Sequence, residues 1–173
     1  MHILLLAGLL FAMLVTPAVA APPTGFGEYA WGTNPSVLRE QFIPKRCRVA
    51  TEDRRIWLAI QCRDYQVEGL SIVLLRLDFE PADSLAGYYM LLARGSYRTF
   101  RELVVQRFGT PTTQTSIIWS GRQQMWWTWP GISATLIERC GEEYSCIEVT
   151  TTAIERRREQ LREREKRDAM QSF

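Results

Sequence analysis

The sequence predicts an α+β protein: an antiparallel sheet, two short amphipathic helices packed on one face, and a charged C-terminal helix. The first supporting observation is the stretch from Gly69 to Glu80, which is rich in branched and aromatic side chains. Its first half is apolar on both alternating faces, and its second half alternates apolar with charged residues. We interpret it as the central strand. Leu77 and Phe79 are expected to face inward, and Arg76, Asp78 and Glu80 outward.

The second observation is a helical period between Tyr97 and Phe108. Large apolar residues recur there on one side and form a single stripe, which consists of Phe100, Leu103, Val104 and Phe108. Ser96 or Thr99 can cap the first turn, and Gly109 with Pro111 ends the helix. A stripe of this kind is typical of a helix that packs against a sheet.

The third observation is a series of four short segments with strand composition after this helix, separated by turns that contain glycine. They are Gln114 to Trp119, Gln124 to Trp129, Ile132 to Arg139, and Ser145 to Thr151. Together with the elements before residue 97, the order is helix, strands, helix, strands. This order indicates tandem helix-plus-strands units, although too few residues align to prove a duplication.

The elements on either side of the central strand are predicted from helix-capping residues and from residue types that favour strands. Asn34 can cap a short helix that starts with Pro35 and ends before Pro44. Two strands, Arg46 to Ala50 and Arg55 to Cys62, are expected to follow. After the central strand, Leu85 to Ala93 can return antiparallel. Its leucines also suit a helix, but a glycine and two adjacent tyrosines favour a strand.

The first twenty residues have the pattern of a signal peptide. An apolar run from Ile3 to Val15 is followed by the small residues Ala18-Val19-Ala20, so we predict cleavage after Ala20. An uncleaved anchor is the alternative, but about thirteen apolar residues are fewer than the roughly twenty that span a bilayer. We therefore predict a periplasmic or secreted protein with a signal peptide at residues 1–20, a globular domain at 21–153 and a helical tail at 154–173. No later stretch is long enough for a transmembrane helix.

The tail differs in composition from the rest of the chain. Between Glu155 and Asp168 it has seven basic and five acidic residues, many at helical pairing distance. We predict an exposed, coiled-coil-like helix that is merely solvated. The alternative is a docking element for a partner helix or an anionic membrane surface. In the body the charges balance, which argues against a nucleic-acid partner.

Catalytic chemistry is restricted because His2 is the only histidine of the chain. A processed protein would lack histidine-based nucleophile pairs and the usual transition-metal sites, and no phosphate-binding glycine loop is present. We therefore expect no cofactor, no metal and no catalytic residue. The carboxylate pairs that could support a glycosidase are Asp53 with Asp64, Asp64 with Glu68, and Asp78 with Glu80. Asp78 and Glu80 are more simply explained as a solvated sheet face.

Tryptophans are concentrated in one region and provide the candidate binding residues. Trp126, Trp127 and Trp129 lie in a single predicted strand, with Trp119 just before it. Alternation places Trp127 and Trp129 on one face and Trp126 on the other. One face has to be core, which is the usual place of tryptophan. If the other face is exposed, it offers an aromatic platform for a sugar ring, a peptide or a partner protein.

Four cysteines in an exported chain predict a disulfide framework. Of the three connectivities we choose Cys47 with Cys62 and Cys140 with Cys146. The first two cysteines lie on adjacent predicted strands, and the second two flank a short turn. A metal site is the alternative, but neither paired Cys-x-x-Cys spacing nor a histidine after residue 20 supports it.

Three short motifs each precede a helix or a strand: Phe26-Gly27, Trp31-Gly32-Thr33 and Arg107-Phe108-Gly109-Thr110-Pro111. Their arrangement along the chain resembles that of uncharacterised secreted bacterial proteins. The element order is also similar to the small α+β modules of the outer-membrane assembly lipoprotein and β-lactamase-inhibitor-protein type. The chain lacks the lipid-anchoring cysteine of the lipoproteins. The resemblance implies a module that binds other proteins. We thus expect a non-catalytic periplasmic binding or envelope-associated module whose partner is an envelope protein or a cell-wall component. A carboxylate-dependent hydrolase acting on cell-wall material is the alternative.

Overall fold

The computed structural model describes residues 21–42, 46–51, 58–80, 84–117 and 122–171. The predicted signal peptide, Asp53 and Trp119 lie outside these residues. The described chain contains a two-stranded hairpin, an eight-stranded antiparallel sheet and three α-helices. The α+β class with helices packed on an antiparallel sheet is therefore confirmed.

The elements follow one another in the predicted order. The strands are β1 (Gly25–Phe26), β2 (Tyr29–Ala30), β3 (Cys47–Thr51), β4 (Leu58–Val67), β5 (Leu70–Phe79), β6 (Leu85–Ala93), β7 (Thr113–Ile117), β8 (Arg122–Trp129), β9 (Ile132–Ile137) and β10 (Tyr144–Thr151). The helices are α1 (Pro35–Phe42), α2 (Tyr97–Phe108) and α3 (Thr152–Gln171).

The large sheet is built from two equivalent halves. Its strand order is β3-β4-β5-β6-β10-β9-β8-β7, and each half is a four-stranded meander preceded by a helix. The last strands of the two halves, β6 and β10, pair antiparallel at the centre, with Met90 opposite Ile147. The topology thus repeats a helix followed by four strands, which agrees with the predicted tandem helix-plus-strands units. The stretch expected to be central, β5, is the third strand from one edge.

One face of the sheet, which we call the front face, carries α1, α2 and the main core. Front-facing residues such as Leu75, Leu77 and Tyr88 are in one apolar cluster with Leu38 of α1 and Phe100 of α2. Asn34 caps α1 as predicted, because its side-chain oxygen accepts a hydrogen bond of 2.9 Å from the backbone N–H of Ser36.

A local irregularity allows β5 to be apolar at successive positions. Between Ile72 and Leu74 the register of β5 against β6 shifts, so Ile72 and Leu75 both belong to the front-face core. At the same level in β4, Asp64 has a φ angle of 52°. Beyond this point Tyr65 and Val67 join the front face, and β4 continues five residues past the predicted end at Cys62, to Val67.

The opposite face, the back face, carries α3. Here the prediction of an exposed tail holds only in part, and the prediction of a solvated Asp78 is wrong. The first turns of the helix are docked, since Ile154 is fully buried against Ala86 of β6 with Leu161 packed beside it. Only residues 162–171 are exposed throughout. Asp78 was expected to face solvent, but it is 1% exposed because its back-face position adjoins Gly87 under this helix. Among the described residues, no helix is both long and apolar enough to cross a membrane.

Candidate functional site: an aromatic cleft on the front face

A cleft of about 300 Å³ opens on the front face between the β1–β2 hairpin and the C-terminal part of α2. We call it the front cleft. It is lined by residues of the hairpin, α1, the end of β4, β6 and α2: Gly25, Phe26, Gly27, Glu28, Tyr29, Phe42, Tyr65, Gln66, Val67, Glu68, Tyr88, Met90 and Arg107. A smaller cavity of about 40 Å³ shares several lining residues with it, among them Val67 and Met90, and is also lined by Leu103 and Val104 of α2.

Five aromatic rings line the front cleft, and they hold one another in place. The ring centroids of Phe26 and Tyr88 are 5.1 Å apart with an edge-on geometry, and those of Phe42 and Tyr65 are 5.5 Å apart. Tyr29 completes the wall, with its ring centroid 5.7 Å from that of Phe42. Such contacts fix ring orientation. The cleft therefore has a preformed apolar wall.

The hairpin is tied to the sheet by main-chain hydrogen bonds and by Trp31. The N–H of Gly32 donates to the carbonyl of Leu85 at 2.8 Å, and the N–H of Leu85 donates to the carbonyl of Thr33 at 2.9 Å. The indole of Trp31 stacks on Tyr88 with centroids 6.2 Å apart, and its N–H donates to the carbonyl of Pro23 at 2.7 Å. These contacts keep the hairpin beside the cleft.

Glycine is required at two hairpin positions for different reasons. A Cβ atom on Gly25 would stand only 1.9 Å from the carbonyl oxygen of Tyr29, so any side chain would separate the two strands. Gly27 has a φ angle of 60°, the left-handed conformation that glycine adopts without strain. This tight turn brings Glu28 and Tyr29 to the rim of the cleft.

Within the described part of the chain, the charged groups that line the cleft are two carboxylates and one guanidinium. Glu68, at the end of β4, forms a salt bridge of 3.1 Å with Arg107 of α2, and both side chains are more than half exposed. Burial first, and then the neighbouring Glu28 carboxylate, raises the pKa of Tyr29 above its ordinary value. Burial also raises the pKa of Tyr88, because the low-dielectric surroundings disfavour the phenolate. Both tyrosines thus present neutral hydroxyl groups.

The predicted tryptophan platform is divided between the two faces. Trp127 is 1% exposed, packs edge-on against Phe108 and donates a hydrogen bond of 2.9 Å to the carbonyl of Gly109. Trp129 also packs edge-on against Phe108. Trp127 is therefore a core residue, and its assignment as a surface binding residue is corrected. Trp126 lies on the back face opposite Thr135 and is half-buried, so its role in binding stays a prediction.

The candidate carboxylate pairs do not meet in the front cleft. Asp64 is exposed at the irregularity in β4. Asp78 lies under α3, where Arg76 Nε is 2.9 Å from one carboxylate oxygen. Burial raises the pKa of Asp78, while the Arg76 guanidinium acts in the opposite direction. Its neighbour Glu80 faces Arg157 at 3.9 Å. These groups form part of the α3 contact.

Both predicted disulfides are present in the structure. Cys47 and Cys62 are directly opposite each other on β3 and β4, and Cys140 is joined to Cys146 across the turn before β10. Within the described part of the chain, no group of three or more His, Cys, Asp or Glu side chains is arranged to hold a metal ion.

Comparisons with protein-family models, with curated proteins and with solved structures found no match to this chain. The front cleft is accordingly interpreted from its own geometry. Sequence reasoning missed it because its aromatic residues are far apart in the chain and share no local motif. The available signal was the density of aromatic residues before β3 and in β6, where Phe26, Tyr29 and Trp31 precede Tyr88 and Tyr89.

Proposed function

We propose that this chain is an exported, non-catalytic binding module of the bacterial envelope, and that the front cleft is its ligand site. The observation that carries the proposal is the cleft itself, a preformed space of about 300 Å³ with five aromatic rings and a few polar groups at its rim. Small-molecule sites in proteins have this character and start at about this size.

Export and localisation to the periplasm are part of the proposal. They are supported by the signal-peptide pattern of residues 1–20 and by two disulfides, which persist in oxidising compartments. The likeness to envelope binding modules rests on the order of elements in the sequence and is an analogy of fold alone.

We propose that the protein is not an enzyme, because the side chains that line the cleft are suited to binding a ligand and not to cleaving a bond in it. Its polar groups are a salt-bridged Glu68–Arg107 pair, an exposed Glu28, a glutamine and tyrosine hydroxyls. A general acid needs a proton at neutral pH and a position against the substrate. Burial raises the pKa values of Tyr29 and Tyr88, which disfavours proton release from these two hydroxyls.

A cell-wall hydrolase remains the second candidate, and one observation favours it. The raised pKa of Asp78 is typical of a carboxyl group that can act as a general acid. Asp78 is nevertheless enclosed beneath α3 and paired with Arg76. Cell-wall hydrolysis by the exported protein that is lost in Asp78→Asn would establish this alternative.

The binding proposal is tested with a neutral fluorescent probe. N-phenyl-1-naphthylamine should bind the exported protein with increased emission, and a small-molecule fraction of an envelope extract should displace it. Val67→Trp places a large side chain in the cleft and should abolish probe binding. Val37→Trp is the matched control, because Val37 is 48% exposed on α1. Equal probe binding by both variants, or no displacement by any fraction, would refute the front cleft as the ligand site.

A further inference from the structure

We propose that the front cleft selects a small, free organic cation of the quaternary or alkyl-ammonium class. This inference rests on the proposed function, because it names the ligand class of the same site. It follows from three properties of the cleft: the number of aromatic rings, the excess of carboxylates over cations, and the position of the charges at the rim.

The rings provide the first argument. Phe26, Tyr29, Phe42, Tyr65 and Tyr88 all contribute to one lining. The face of an aromatic ring is negative and attracts a cation, and several rings around one space form the cage that recognises quaternary ammonium groups. An alkyl-ammonium group also has an apolar surface, which suits the remaining lining residues Val67 and Met90.

The balance of charge provides the second argument. Among the residues that the structure describes, the lining includes Glu28 and Glu68 but only one cation, Arg107, which is 3.1 Å from Glu68. Because the charges of Arg107 and Glu68 cancel, Glu28 gives the lining a net negative charge. A cationic ligand is attracted by the Glu28 carboxylate and neutralises its charge, whereas an anionic ligand is repelled by it.

The arrangement of these groups provides the third argument. Glu28 lies in the hairpin turn, and Glu68 lies at the end of β4, so both carboxylates border the same opening. A lipid headgroup carries a phosphodiester beside its ammonium group and would bring that negative charge to the two glutamates. A free cation avoids this repulsion, and we therefore assign the site to a free molecule rather than to a membrane surface.

The experiment is isothermal titration calorimetry of the exported protein with three matched probes. They are choline, its uncharged isostere 3,3-dimethyl-1-butanol, and phosphocholine. Choline should bind about tenfold tighter than the isostere, since cation–π contacts in a partly desolvated cage have that strength. Phosphocholine should bind more weakly than choline. Equal binding of choline and the isostere, or tighter binding of phosphocholine, would overturn the proposal.

Substitutions test whether choline binding depends on Glu28 and Tyr65. Glu28→Gln should weaken choline binding about threefold or more by removing one carboxylate. Glu142→Gln is the matched control, in the exposed turn before β10. Tyr65→Leu should lose choline binding and Tyr65→Phe should retain it, because only the ring is needed. Retention of full affinity by both Glu28→Gln and Tyr65→Leu would contradict the cation cage.

The outcome separates this inference from the proposed function. If choline and related ammonium compounds fail to bind while the envelope fraction still displaces the fluorescent probe from the cleft, the cation assignment is wrong and the binding module stands. If neither the probe nor choline occupies the cleft, both are wrong.

Discussion

Gly87 of β6 lies directly beneath Ile154 of α3. A Cβ atom built on Gly87 would stand 3.6 Å from Cγ1 of Ile154 and 3.0 Å from the carbonyl oxygen of Val149. The contact with the backbone oxygen is tighter than side chains normally tolerate, and that oxygen belongs to the neighbouring strand β10. A methyl group at residue 87 would therefore press on the backbone of β10, whereas its contact with Ile154 of α3 would be an ordinary one.

This contact predicts that Gly87→Ala destabilises the protein. We expect a loss of about 1–3 kcal/mol in the free energy of unfolding, the usual cost of an extra methyl group in a packed site. Gly95→Ala is the matched control, since a Cβ there meets nothing within 4 Å, and it should change the free energy by no more than about 0.5 kcal/mol. Urea denaturation measures both. A Gly87→Ala variant as stable as Gly95→Ala would contradict the close approach of the β10 backbone to residue 87.

Truncation of α3 should distinguish its docked from its exposed part. Removal of residues 162–173 should leave the stability of the body within about 0.5 kcal/mol, because residues 162–171 are exposed. Removal from Ile154 onward should cost at least about 2 kcal/mol, because a fully buried isoleucine is lost together with the contacts of Arg158 to Glu148. Thermal and urea unfolding of the two truncated chains provide the comparison. Equal stabilities would restore the original prediction of a merely solvated tail.

The tail shows why its docking could not be predicted. Its sequence offers only Ile154 and Leu161 as large apolar residues near the start, which is too little for an apolar stripe. The docking depends instead on partners distant in the chain. The Ser133 hydroxyl donates a hydrogen bond of 2.5 Å to Glu155, and Arg158 binds Glu148. Charge patterning within a helix does not indicate such partners.

Asp78 should make stability depend on pH in an unusual direction. Burial raises its pKa above the ordinary value of 3.8, so the folded state binds its proton more tightly than the unfolded state. The contribution of Asp78 is therefore most favourable below pH 3.8 and decreases as pH rises toward the raised folded pKa. The stability difference between the native protein and Asp78→Asn should shift against the native protein as pH rises from about 4 to 7.

Urea unfolding at a series of pH values measures this difference. Asp64→Asn, which removes an exposed carboxylate outside the α3 contact, controls for the loss of one negative charge. A difference that moves in favour of the native protein as pH rises would mean that the pairing with Arg76 outweighs burial.

The two adjacent tryptophans should behave differently on substitution. Trp127→Leu should cost more than about 2 kcal/mol, because it removes buried contacts with Phe108 and leaves the carbonyl of Gly109 without its indole donor. Trp126→Leu should cost less than about 1 kcal/mol, since this ring is half-buried on the back face. Similar losses for the two variants would contradict the assignment of faces.

Local sequence patterns predicted the helices and strands much better than they predicted the front cleft. Helix α2 has the predicted bounds because Gly109, with a φ angle of 73°, and Pro111 end it. The alternation in β8 placed Trp126 and Trp127 on opposite faces correctly. However, the left-handed conformation of Asp64 turns Tyr65 and Val67 to the front face, and alternation alone cannot reveal such a change. The cleft depends on that change and on strand register.

The most direct test of the ligand site is NMR of protein labelled at the methionine methyl groups. After residue 20 the methionines are Met90, Met125 and Met170. Met90 lines the front cleft, whereas Met125 is buried in β8 and Met170 is exposed near the end of α3. The Met90 signal is assigned as the one that is absent from the spectrum of Met90→Leu. It should shift progressively as choline is added, while the signals of Met125 and Met170 stay in place. Binding of choline that leaves the Met90 signal unmoved would contradict the front cleft as the binding site.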